Sequence, residues 1–120
     1  MGLVVLVVED SPVVQIVAAS LLRELGHEAV AARSGREALA ALSARAFDAV
    51  LMDVQMPGMG GLEAAREIRR LWPEPRVRIV AMTAEPHERE ACLAAGMDAV
   101  LPKPFKAGDL RVALTAAATP

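Results

Sequence analysis

Phe47-Asp48-Ala49-Val50-Leu51-Met52-Asp53-Val54-Gln55-Met56-Pro57-Gly58 is the stretch on which the fold turns. Ala49 to Met52 is apolar without alternation, which fits a strand buried on both faces of a parallel sheet. The run closes on the carboxylate of Asp53, and a turn containing Pro57 and Gly58 follows at once. An acid at the C-terminal end of such a strand sits where open α/β sheets place their ligands.

The same grammar recurs near the N-terminus. Leu3-Val4-Val5-Leu6-Val7-Val8 is apolar and ends on Glu9-Asp10. Two strand ends at one sheet edge would bring Glu9, Asp10 and Asp53 into a single pocket. Clustered carboxylates repel one another unless a cation joins them. Oxygen ligands without His or Cys favour a hard ion such as Mg²⁺, which retains waters.

Outward from these two runs, apolar and amphipathic segments alternate along the whole chain. Strands are expected at Leu3–Val8, Glu28–Ala32, Ala49–Met52, Arg78–Met82 and Ala99–Leu101. The first helix is expected from Pro12 to Leu25, with Ser11 as N-cap and Gly26 as stop. Its residues Val13, Ile16, Val17, Leu21 and Leu25 recur at helical spacing and should face the core. A second helix follows Ser34-Gly35 with Ala38, Leu39 and Leu42 inward. A third opens at Gly60-Gly61 with a stripe of Leu62, Ala65, Ile68 and Leu71, stopped by Pro73 and Pro75. The fourth follows Pro86 and ends at Gly96, and the fifth runs from Ala107 to Ala117, after which the tail to Pro120 carries no pattern. Right-handed crossovers between parallel strands put helices on both faces. The expected fold class is α/β, one doubly wound domain over residues 1–120.

At 120 residues and 54% hydrophobic, the chain can bury a core of ordinary domain size. A net charge of −2 gives no reason to expect direct nucleic-acid binding. The single cysteine, Cys92, has no partner for an internal disulfide, which fits a reducing compartment. Residues 3–8 are too short to span a bilayer and lack a basic leader. The expectation is a cytoplasmic domain with no membrane insertion.

Reading off the C-terminal strand ends gives Glu9 and Asp10, Asp53, Thr83, and Lys103 just after the fifth strand. Lys103 is a point charge suited to an anion, and the Thr83 hydroxyl can donate to an oxygen. These roles describe phosphoryl transfer with Asp53 as acceptor, driven by positioning and electrostatics.

The sequence resembles the response-regulator receiver domain along its whole length. The residues that carry the resemblance are Val7-Val8-Glu9-Asp10-Ser11-Pro12, Met52-Asp53 through Gly60-Gly61, Met82-Thr83-Ala84 and Pro102-Lys103-Pro104-Phe105. The wording of Asp53-Val54-Gln55-Met56-Pro57 and Gly26-His27-Glu28 is closest to receivers of hybrid sensor histidine kinases. The resemblance implies a flavodoxin-like (βα)5 fold with strand order 2-1-3-4-5. It implies that Asp53 takes a phosphoryl group from a histidine kinase or histidine phosphotransfer protein. Mg²⁺ would be held by Asp10, Asp53 and the backbone carbonyl of Gln55, with Glu9 acting through water. Lys103, Thr83 and the backbone N–H of Ala84 would touch the phosphoryl group. The Lys103–Pro104 bond would be cis. Such a domain is not a turnover enzyme but assists its own phosphorylation and dephosphorylation. Its read-out would pass to the helix 4–strand 5–helix 5 face, where a downstream protein would dock.

One departure bears on the read-out. The family position for a rotating aromatic on the fifth strand is Val100 here. Two other function classes are open at this level: a phosphorylation-independent binding module, and an aspartate-nucleophile phosphatase. The phosphatase would need an acid two residues after its nucleophile, where Gln55 stands. His27 and His87 read as solvated histidines. Arg66, Arg69, Arg70, Arg76 and Arg78, interleaved with Glu63, Glu67 and Glu74, read as a solvated face. Met52, Met56, Met59, Met82 and Met97 read as packing.

Overall fold

The structure, a computed structural model, describes residues 2–118. The chain alternates strictly: β1 (Val4–Val8), α1 (Pro12–Glu24), β2 (Glu28–Ala32), α2 (Gly35–Ala44), β3 (Ala49–Asp53), α3 (Gly61–Leu71) and β4 (Arg78–Thr83). A 3-10 turn, Pro86–Glu88, leads into α4 (Arg89–Ala94), then β5 (Ala99–Pro102) and α5 (Ala107–Ala118). The five strands form one parallel sheet in the order β2-β1-β3-β4-β5. The tail residues Thr119 and Pro120 lie outside the described residues.

Alternate residues of the central strands feed two cores, as strand geometry requires. Val5, Val7, Ala49, Leu51, Val80 and Met82 pack with Ala18 and Leu22 of α1 and Leu110 and Leu114 of α5. Leu6, Val8, Val50, Met52, Ile79 and Ala81 pack on the other face, with Ala38 of α2, Ile68 of α3 and Cys92 of α4. Because β3 is covered on both sides, Ala49–Asp53 is buried throughout. The continuous apolar run had this cause.

The inward face of α1 differs from the expected one. Ala18 and Leu22 are buried, and Leu21 and Leu25 pack at the core's edge. Val13, Ile16 and Val17 are instead 70%, 70% and 49% exposed. The small Ala18 lets the helix approach the sheet, which turns the bulkier valines and isoleucine outward. Leu71 is likewise exposed, since Ala64, Ala65 and Ile68 carry the contact of α3. The fourth helix is shorter than expected because its first turn is 3-10.

Three polar features also depart from a purely solvated surface, the first being Arg78, whose Nε donates to Ala113 O of α5 at 2.8 Å. Nδ1 of His27 accepts the Leu3 amide at 3.0 Å, tying the α1–β2 turn to the start of β1. Arg69 donates to Gly96 O (2.8 Å), Val77 O (2.5 Å) and Asp98 Oδ2 (2.7 Å). The same Asp98 oxygen accepts the Ile79 amide at 2.8 Å, and Oδ1 accepts Arg76 at 2.6 Å. Burial pushes the Asp98 carboxyl up, but the Ile79 amide, Arg76 and Arg69 outweigh it and hold it below its usual 3.8. Its contribution to stability is therefore complete above about pH 3.8 and fades as pH falls through the lowered value. Asp98→Asn is expected to lose roughly 2–3 kcal/mol at neutral pH, because it leaves the half-buried Arg69 without its charge partner. Denaturant melts should show that deficit shrinking below pH 3.8; an equal deficit at all pH values would refute the charge argument.

Candidate functional site

The parallel sheet brings the C-terminal ends of β1, β3, β4 and β5 to one edge, and each delivers a polar residue there. Carboxylate oxygens of Glu9, Asp10 and Asp53 lie within 4.8 Å of one another. Glu9 is 2% exposed and Asp53 3%, whereas Asp10 is exposed. The Asp53 loop is held by Val54 N donating to Met82 O at 3.1 Å and Gly61 N to Val54 O at 3.2 Å. Gly61 is the residue this loop needs. A methyl group there would collide with the Asp53 carbonyl and approach Val54 Cα to 2.9 Å.

Lys103 reaches back into the cluster. Its ammonium donates to Glu9 Oε1 at 2.9 Å and to Asp53 Oδ1 at 3.1 Å. The backbone aims it: Lys103 N donates to Thr83 O at 2.8 Å, and the Lys103–Pro104 peptide is cis, as the family resemblance implied. Burial pulls the Lys103 pKa down, but the hydrogen bonds and charges of Glu9 and Asp53 overcome it and hold the ammonium above its ordinary 10.5. The lysine is thus a fixed positive charge at any physiological pH.

The remaining oxygens decide what else the cluster can hold. Both oxygens of Glu9 accept a hydrogen bond, Oε1 from Lys103 and Oε2 from the Ser11 amide at 3.0 Å. Asp53 Oδ1 also accepts the Gln55 amide at 3.2 Å, leaving Oδ2 available. Among the described residues no hydrogen bond or ion pair engages the Asp10 carboxylate, so it too is available. An all-oxygen set with one exposed and one buried carboxylate fits a small hard cation that keeps most of its waters.

Thr83 is at the same edge and 1% exposed, and its hydroxyl is engaged by residues outside the carboxylate cluster. It donates to Glu88 Oε1 at 2.7 Å and accepts the Glu85 amide at 2.9 Å. The Gln55 side chain meets the same carboxylate, donating to Glu88 Oε2 at 2.7 Å. Glu88 was not legible as part of the site. It lies five residues beyond Thr83, and only the 3-10 turn at Pro86–Glu88 folds it back. Ala84 is exposed next to Thr83. The site therefore gathers Glu9, Asp10, Asp53 and Lys103 directly, with Thr83, Ala84 and Gln55 on its rim.

A groove opens beside Lys103, lined by Val13, Val17, Ala84, Lys103, Pro104 and Phe105. Val13 and Val17, outward residues of α1, thus border Lys103. Their helical spacing was visible in the sequence, but their side of the helix was not.

Comparison with known proteins places this arrangement. The sequence matches the response regulator receiver domain over residues 5–115. It is 43% identical over 107 residues to the sensor protein GacS of Pseudomonas syringae pv. syringae, covering 84% of this chain and 12% of that protein. It is 41% identical over 103 residues to the aerobic respiration control sensor protein ArcB of Escherichia coli K12, covering 84% and 13%. The chain thus spans about an eighth of the length of these curated relatives. The receiver domain of the sensor histidine kinase PA1611 from Pseudomonas aeruginosa PAO1 superposes with a TM-score of 0.88 at 38% identity, covering 99% of this chain and 100% of that one. That structure carries a magnesium ion coordinated in its active site cleft. The Vibrio cholerae chemotaxis protein CheY4 superposes with a TM-score of 0.89 at 31% identity, covering 98% and 99%.

Proposed function

The chain belongs to the response regulator receiver domain family, and from that premise we propose that Asp53 accepts a phosphoryl group from a phosphohistidine. The observation that carries this is the Lys103 ammonium, shared between Glu9 and Asp53 at 2.9 and 3.1 Å. It holds one Asp53 oxygen in place, while the other accepts no hydrogen bond among the described residues.

In the transfer, a carboxylate oxygen of Asp53 attacks phosphorus in line. The new O–P bond forms as the P–N bond to the donor imidazole breaks, and the imidazole departs with its electron pair. Lys103 stays protonated and neutralises charge on the phosphoryl oxygens. A Mg²⁺ held by Asp10, Asp53 and the backbone carbonyl of Gln55, with Glu9 acting through water, would supply further charge neutralisation and orient those oxygens. The Thr83 hydroxyl and the Ala84 amide border the product. Gln55 cannot serve as a general acid, which supports an acceptor that keeps its phosphoryl group for a time over a phosphatase that turns over.

The donor is a histidine kinase or a histidine phosphotransfer protein, as in a cytoplasmic relay, and α1 is the face it would meet. Val13 and Val17 are 70% and 49% exposed and line the Lys103 groove, so an apolar partner surface docked there sets its histidine over Asp53. The test is incubation with a small phosphodonor and Mg²⁺, followed by intact mass. A single added phosphoryl group is expected, labile in alkali as an acyl phosphate is. No adduct would leave the phosphorylation-independent binding module as the reading. Steady turnover of unrelated phosphomonoesters would favour the phosphatase.

A further inference from the structure

The switch has no aromatic to rotate, since Val100 is aliphatic and packs against the core on the α3–α4 side. Glu88 offers another route. Both of its carboxylate oxygens are occupied, Oε1 by the Thr83 hydroxyl and Oε2 by Nε2 of the Gln55 side chain, each at 2.7 Å. Gln55 lies two residues past Asp53, and Thr83 ends β4. Glu88 itself closes the 3-10 turn and is the N-cap residue of α4. One carboxylate therefore ties two strand-end loops to the first turn of a helix.

We propose that Glu88 is the positioning residue through which the charge state of Asp53 is read. It holds Thr83 and the start of α4 in a resting arrangement that phosphorylation releases. This rests on Asp53 being the phosphoacceptor. A threonine hydroxyl has one proton to donate. While it goes to Glu88, it cannot go to a phosphoryl oxygen. A phosphoryl group on Asp53 adds about −1.5 to −2 charge and strong acceptor oxygens. It competes for the Thr83 proton and repels the Glu88 carboxylate. Both effects act in one direction, driving Glu88 away from the strand ends. Because Glu88 begins α4, the helix start moves with it. α4 spans only six residues, Arg89–Ala94, with Cys92 as its buried anchor, so little packing opposes the shift.

The experiment is hydrogen exchange of residues 84–95 in wild type, Glu88→Ala and Glu88→Gln, with and without acetyl phosphate and Mg²⁺, with intact mass read in parallel. At rest, wild type should be protected, and Glu88→Ala should exchange faster by on the order of tenfold, the worth of a charged hydrogen bond. Glu88→Gln should stay protected at rest, since its amide oxygen still accepts from Thr83 and Gln55 can turn its own amide to match. On loading, wild type should rise towards the resting level of Glu88→Ala. Glu88→Ala should take up the phosphoryl group with no further rise. Glu88→Gln should rise less than wild type, having lost the repulsion. Resting protection in Glu88→Ala equal to wild type would overturn the proposal, whatever the phosphodonor does. So would an adduct on wild type that leaves residues 84–95 unchanged. Absence of any adduct on wild type overturns the phosphoacceptor reading instead, while the resting comparison still decides the role of Glu88.

Discussion

Lys103→Ala is expected to slow phosphoryl loading of Asp53 by about 10²-fold or more, the usual cost of removing one group that meets developing transition-state charge. The same change should destabilise the fold by roughly 3 kcal/mol without metal, because removing one partner of a buried ion pair strands the other. The stranded groups are Glu9 and Asp53, 2% and 3% exposed, with Asp10 close by. Nothing in the described cluster would then balance three carboxylates within 4.8 Å of one another. Mg²⁺ should restore part of the lost stability but little of the rate, because the ammonium sits on Glu9 and Asp53 Oδ1 while the available ligands are Asp10 and Asp53 Oδ2. Denaturant melts with and without Mg²⁺, alongside single-turnover loading, separate the two effects. Loading as fast as wild type would remove Lys103 from the proposed chemistry.

Asp53→Asn should take up no phosphoryl group at all, since an amide oxygen is a poor nucleophile. The fold should survive. Asparagine fills the same space, and its oxygen can still accept from Lys103 and the Gln55 amide, which now meet at Asp53 Oδ1. The second consequence concerns metal. For wild type, Mg²⁺ at a hundred times its dissociation constant should add about 2.7 kcal/mol by mass action. In Asp53→Asn most of that gain should vanish, because one of two available anionic ligands is gone. Thermal melts over a Mg²⁺ titration measure it. An equal rise in both proteins would place the ion away from Asp53.

Strand identity was legible because it depends on local burial. Ala49–Met52 had to be apolar on both faces, and the sequence displays that directly. The acids at the strand ends were legible for a related reason: Glu9-Asp10 and Asp53 stand out against runs that contain no other polar group. Caps were legible too. Ser11 accepts the Val14 amide, Pro12 opens α1, and Gly26 takes a φ of +90° at its end. Each needs only near neighbours in the chain.

The orientation of α1 was not legible. Valine and isoleucine at helical spacing look the same whether they face a sheet or a partner. The choice was made by Ala18, whose small side chain allows close approach to Val5 and Val7. The arginines of 66–78 also looked alike. Two of them turn inward: Gly96 O, Val77 O and Asp98 converge on Arg69 from the α3–β4 and α4–β5 loops, and Arg78 donates to Ala113 O at 2.8 Å.

Local sequence thus determined the strands, their caps and the list of groups that can meet at the sheet edge, since each follows from the burial and backbone preferences of neighbouring residues. Tertiary structure alone decided how those groups are paired. Lys103 lies 94 residues from Glu9, and the side-chain proton of Thr83 goes to Glu88, not towards Asp53. A hydrogen bond depends on direction and distance to within a fraction of an ångström, and only the packed sheet sets those between residues so far apart in the chain.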